Sequence, residues 1–139
     1  MSYADVDELV RRYGENTILQ LTDDTRSGQI KREAAETALA DAQAEIDGYL
    51  IRYQLPFQAA PRILTVYCCD IAVYRLATGM RQLTEDMQSR YDAAVGFLKQ
   101  VAAGRAALSG LPDAPQPPTG DAVVFNEPQK KVFGRDRAY

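Results

Sequence analysis

Histidine is absent from all 139 residues, which removes the usual general base, the commonest zinc ligand and any imidazole pH switch. Most hydrolase and metalloenzyme templates fail on that ground. A surplus of one charge is missing too: sixteen Lys and Arg stand against nineteen Asp and Glu, a formal net charge of -3, with the signs interleaved along most of the chain. An electrostatic grip on nucleic acid needs a concentrated basic face, and only the last residues here lean basic. No apolar run approaches the roughly 20 residues of a membrane helix. The N-terminal MSYADVDELV is acidic and amphipathic, where a signal peptide would be basic and then apolar. These features predict a soluble chain that is not secreted, about one domain long.

Cysteine is limited to the adjacent pair Cys68 and Cys69. Neighbours on a helix point about 100° apart and cannot form an unstrained disulfide with each other. The favoured reading is one buried thiol packing as a small hydrophobe and one at a helix contact. A redox or metal role would need CxxC spacing or further ligands, and neither is present. GxGxxG, GxxxxGK and GxSxG are missing as well, so nucleotide binding and esterase chemistry have no starting point. The acidic groups Asp41, Glu45, Asp47 and Asp70 and the eight tyrosines remain as candidate catalytic side chains. Asp41 and Glu45, four apart, form the pattern of any solvated helix face. The sequence therefore predicts no enzyme, no metal site and no cofactor.

What is present is helical periodicity. Apolar residues at Val6, Leu9, Val10 and Tyr13 lead to Gly14 and predict a short first helix, residues 3–13, with Ser2 and Asp5 as a loose capping box. Residues 15–29 hold Ile18, Leu19 and Leu21 and then a polar TDDTRSG turn or loop. Asp23 and Asp24 there lack the alternating oxygen ligands of an EF-hand, so a cap or solvated loop is the preferred reading. From Ile30 to Tyr53, Ala35, Leu39, Ala42, Ile46, Tyr49 and Tyr53 recur at steps of three and four. This longest helix would run about 35 Å. Gly48 within it suggests close approach by another backbone.

Leu55 precedes Pro56 and ends or follows that helix, and Pro61 suits the first turn of the next. The third strong pattern, residues 61–78, is apolar around most of its circumference, which requires burial in the domain or an oligomer. Its charges Asp70 and Arg75, five apart, do not meet on one face and must pair elsewhere or point outward. Thr84 can cap a last helix that runs to about residue 103, before Gly104. Five of the seven prolines follow between Pro112 and Pro128.

The fold class expected is all-α: a compact bundle of about four helices over residues 1–111, with a proline-rich extended arm over 112–139. Two β-prone pieces, residues 122–125 and 131–133, flank NEPQK in the arm. Val123, Val124, Phe125, Val132, Phe133 and Tyr139 are its candidate partner-binding residues. A docking segment is the preferred reading, and a disordered tail or a small self-packed hairpin competes with it.

Three stretches carry a resemblance: AEIDGYLIRYQLP, DIAVYRLA and RYDAAVGFL. With Asp47, Gly48, Tyr49, Leu50, Arg52, Tyr53, Leu55, Pro56, Asp70, Ala72, Tyr74, Arg90 and Tyr91 as motif positions, the chain from Tyr3 to Gly104 resembles the head-to-tail adaptor family of Mu-like phages and prophages. The resemblance implies a virion protein of the neck, made in the bacterial host cytoplasm. It also implies a head-completion role in which the chain forms a ring-like homo-oligomer and docks on portal or tail-completion proteins. It assigns the motif residues structural roles and no catalysis, and predicts neither a membrane partner nor sequence-specific nucleic-acid binding. The alternative is a small helical regulatory or DNA-binding protein. That reading needs a basic recognition helix after a tight turn, whereas the turns here lead into apolar or acidic helices.

Overall fold

A computed structural model describes residues 2–53, 55, 57 and 59–108, and among these the fold is all-α. The order is α1 (Val6–Tyr13), α2 (Glu15–Thr22), α3 (Arg32–Tyr49), α4 (Arg62–Met80) and α5 (Glu85–Ala102). There are thus five helices among the described residues, where periodicity predicted about four. The addition, α2, is two turns long and buries Ile18, Leu21 and Thr22. Its signal is too short to register as a period. Gly14, at φ +89°, ends α1 and begins α2 at once, a backbone that residues with a Cβ rarely adopt.

Local chemistry accounts for most boundaries. Asp5, not Ser2, caps α1: its carboxylate accepts the Glu8 N–H at 2.9 Å. Thr84 caps α5 as expected, accepting the Met87 N–H at 3.2 Å. The Asp23 carboxylate closes the α2–α3 loop on the N–H groups of Ser27 and Gly28, at 2.7 and 2.8 Å. These bonds engage both carboxylate oxygens and hold the group below the usual carboxylate range.

The third helix ends at Tyr49, four residues before the predicted end. Leu50 donates to the Asp47 carbonyl at 3.1 Å, and Tyr53 to the Leu50 carbonyl at 3.0 Å; these three-residue bonds tighten and close the helix. Its eighteen residues span about 27 Å. Gly48 is exposed, and no atom lies within 4 Å of where its Cβ would be. No backbone approaches it, contrary to the expectation.

The centre of the bundle is α4, which packs against each of the other four helices. Its all-round apolar pattern is explained by this position: Leu64, Cys68, Cys69, Ile71, Ala72, Val73 and Ala77 are buried on several faces. Both cysteines are completely buried, where one was expected to be. The Cys68 thiol lies 3.7 Å from the Leu39 carbonyl at the α3–α4 contact. Burial pushes both thiols up to about 12, so neither is a nucleophile near neutral pH. Pro61 stands at the N-cap position just ahead of α4. No helix among the described residues is long and apolar enough to cross a membrane.

Candidate interaction surfaces

The motif residues converge on the joints of the bundle. The Tyr13 hydroxyl donates to Asp70 at 2.7 Å, joining α1 to α4, and the Arg90 guanidinium of α5 lies 5.2 Å from the Tyr13 ring centroid. Arg12 stands 4.0 Å from the same carboxylate. Asp70 is only 5% exposed, and desolvation raises it above the ordinary aspartate range in spite of these partners. Arg75 turns to α3 and meets Glu45 at 2.7 Å. Asp70 and Arg75 therefore pair with different helices, as their spacing of five required.

Glu45 is a second joint. Its other oxygen accepts the Tyr91 hydroxyl at 3.0 Å, and the Tyr91 ring stacks on Tyr74, with centroids 3.8 Å apart and planes 12° from parallel. One carboxylate thus ties α3 to α4 and α5. Its neighbour in the pattern, Asp41, is exposed. The two do not form a carboxylate pair, and nothing places them in a common cleft.

The third joint is at the N-terminus. The Tyr3 N–H donates to Gln43 Oε1 at 3.1 Å, its carbonyl accepts the Thr65 hydroxyl at 2.7 Å, and its own hydroxyl donates to Asp47. Residues 2–5 are thereby strapped over α3 and α4. The Tyr3 ring lies 6.4 Å from Phe57, which lies 6.1 Å from Tyr53. The Tyr53 hydroxyl accepts the N–H of buried Leu108 at 3.0 Å. At the same end Gly104, at φ +80°, has a backbone that residues with a Cβ rarely adopt, and an added Cβ would push aside the Arg52 guanidinium, whose Nη1 would lie 2.7 Å away.

The strap and α3 form a groove of about 510 Å³ lined by Ala4, Val6, Leu39, Ala40 and Ala44, with Asp5, Glu36 and Asp47 against the single cation Arg32. Sequence reasoning missed it. Glu36, Ala40 and Ala44 look like a solvated helix face until the strap supplies the opposite wall, and no sequence period encodes that packing. Away from the groove, Ile51, 80% exposed in the turn after α3, and Leu83, 38% exposed, are the large apolar side chains that face outward among the described residues. Among the described residues no group of His, Cys, Asp and Glu is arranged to hold a metal ion. The six candidate partner-binding residues, Val123, Val124, Phe125, Val132, Phe133 and Tyr139, and the arm that carries them lie outside the described residues.

The chain is similar to "Gene product J" of Escherichia phage Mu, 36% identical over 137 residues that cover 97% of this chain and 96% of that one. It is also similar to "Mu-like prophage FluMu protein gp36" of Haemophilus influenzae, 30% identical over 135 residues, 96% of this chain and 94% of the relative. The family described as "Bacteriophage Mu, Gp36" matches residues 3–127, running beyond Gly104 into the proline-rich segment. With nearly the whole length of two phage-derived relatives aligned and the joints falling inside the match, this chain belongs to the phage Mu Gp36 family.

Proposed function

We propose that this chain is a structural protein of the virion, an adaptor at the junction of head and tail, and not an enzyme. The observation that carries the reading is how the polar side chains are used. Asp70 and Glu45 with the tyrosines facing them close helix onto helix, Asp47 with Tyr3 ties the N-terminal strap to α3, and the buried thiols are held protonated. Such groups in an enzyme would converge on a cleft with separated pKa values. Here they make a small body rigid, which is what a ring subunit needs. A ring contact joins one face of a subunit to a different face of its neighbour, and closure depends on a fixed angle between the two.

In this reading the bundle forms the ring, the segment beyond residue 111 reaches portal or tail-completion proteins, and the assembly sits at the virion neck. Membership of a phage family supports the setting. The test is an in-frame deletion in a phage or inducible prophage carrying this gene, with lysates viewed by electron microscopy. The expected result is separate heads and tails, rejoined when the gene is supplied in trans. Intact virions from the deletion strain would sink the proposal. Loss of heads or of tails as such would instead place the chain earlier in assembly.

A further inference from the structure

We propose that the groove between the N-terminal strap and α3 is the seat of the chain's own basic segment, residues 130–139. The argument begins with charge. Residues 130–139, KKVFGRDRAY, hold Lys130, Lys131, Arg135 and Arg137 against Asp136, while residues 1–129 hold twelve basic side chains against eighteen acidic. The cations are therefore concentrated in one short piece of an otherwise acidic chain. The groove has the opposite balance, with Asp5, Glu36 and Asp47 facing Arg32. Glu36 is exposed and makes no ion pair with another described residue, so it is available to a cation from outside the bundle.

The apolar parts match too. Ala40 and Ala44 are exposed on the α3 side of the groove, above the buried Ala4, Val6 and Leu39, and their small side chains leave room for larger ones. Val132, Phe133 and Tyr139 are interleaved with the cations of the segment. An extended peptide of this composition places apolar groups in the groove and its cations at the acidic rim.

Reach is the third observation. The last described residue, Leu108, is fastened through Tyr53 and the Phe57 ring to Tyr3, the neighbour of the groove-lining Ser2 and Ala4. Twenty-one residues separate Leu108 from Lys130. At the roughly 3.1 Å per residue of a proline-rich linker they can span up to about 65 Å, more than twice the length of α3. The segment can therefore seat in its own groove or in that of a neighbouring copy.

Cysteine cross-linking of the full chain tests this, because the native thiols are completely buried. Ala40→Cys in the groove is combined with Val132→Cys, and Ser89→Cys, exposed on α5, replaces the groove position in the control. The expected result is a 40–132 disulfide about tenfold more abundant than 89–132 under mild oxidation, because a seated segment has a raised effective concentration there. Glu36→Lys, or salt at about 0.5 M, which shortens the screening length to a few ångströms, should reduce it severalfold. Equal yields at 40 and 89, or a link indifferent to both Glu36→Lys and salt, would overturn the inference. Mixing the two singly substituted chains separates it from the ring reading. A link formed only within one chain keeps the seat and counts against exchange between ring neighbours, and a link between chains supports both.

Discussion

Tyr3, Tyr13 and Tyr91 each donate a hydroxyl hydrogen bond to a carboxylate on a different element, so the bundle depends on phenols remaining protonated. Burial first, and the facing carboxylate second, raise all three above the ordinary value of 10.0, Tyr91 to about 12. A phenol whose folded value exceeds its unfolded one contributes stability that is complete below about pH 10 and is lost as the pH climbs through the folded value. Urea midpoints should therefore hold steady from about pH 8 to 10 and fall by about pH 11. In Tyr91→Phe and Tyr3→Phe, which begin less stable, the alkaline fall should be shallower. An identical fall in those variants would remove the tyrosines as its cause. Asp70 acts with the opposite sign from a salt-bridged carboxylate. Desolvation raises its folded value, so acidification relieves a buried charge instead of breaking a favourable one.

The sequence showed Tyr13 at the end of the first apolar stripe and Tyr91 within the stretch RYDAAVGFL, and gave a partner to none of the three. Their partners are Asp47 for Tyr3, 44 residues away, Glu45 for Tyr91, 46 away, and Asp70 for Tyr13, 57 away. A one-dimensional pattern carries no signal for contacts at that separation. Glu45 looked like half of a solvated Asp41–Glu45 face because its spacing from Asp41 is legible, whereas its position opposite Arg75 and Tyr91 is set only when α4 and α5 dock.

At the scale of the elements, two of the positions that depart from helical optimum give direct tests. Gly48 lies within α3 with open space around the missing Cβ. Gly48→Ala should stabilise the chain by about 0.5 kcal/mol, through the lower helix propensity of glycine, measured as a higher urea midpoint with unchanged slope. A loss of stability would mean that the site is crowded after all. Arg81 ends α4 in the left-handed region at φ 57°, with the Gln82 N–H returning to the Ala77 carbonyl at 2.8 Å. This is the closing bond of a Schellman cap, in which glycine is the favoured residue at the left-handed position. Arg81→Gly should gain up to about 1 kcal/mol. No gain would show that the arginine side chain supplies a compensating contact. The periodicity identified α1, α3, α4 and α5, because each buries a stripe at 3.6-residue spacing. It passed over α2, whose two turns between Gly14 and the Asp23 loop offer too few repeats to distinguish a helix from an apolar run.

On the scale of the whole molecule the issue is where the folding unit ends. Leu108 is 2% exposed and its N–H is bonded to Tyr53, so the core extends past the end of α5. A chain stopped after residue 111 should unfold cooperatively at nearly the full-length midpoint. One stopped after residue 104 should lose about 2–3 kcal/mol, from the buried leucine and its hydrogen bond. Equal stability of the two would show that Leu108 contributes nothing. A shorter form that matches full length in joining heads to tails would make everything beyond Gly104 dispensable for the proposed function.

The amino-acid sequence by itself determined the class of the fold. Helical periods, caps and stops are local, and the missing histidine and missing nucleotide and hydrolase motifs are properties of composition that folding does not alter. The family signature was also legible, because its residues run in short contiguous stretches. Only the tertiary structure decided what those residues do. It placed α4 at the centre, set three carboxylates opposite three tyrosines at separations of 44 to 57 residues, and laid residues 2–5 across α3 to turn a solvated face into one wall of a groove. Such placements follow from how helices dock around a shared core, which depends on side-chain shape across the whole bundle and not on the spacing within any single helix.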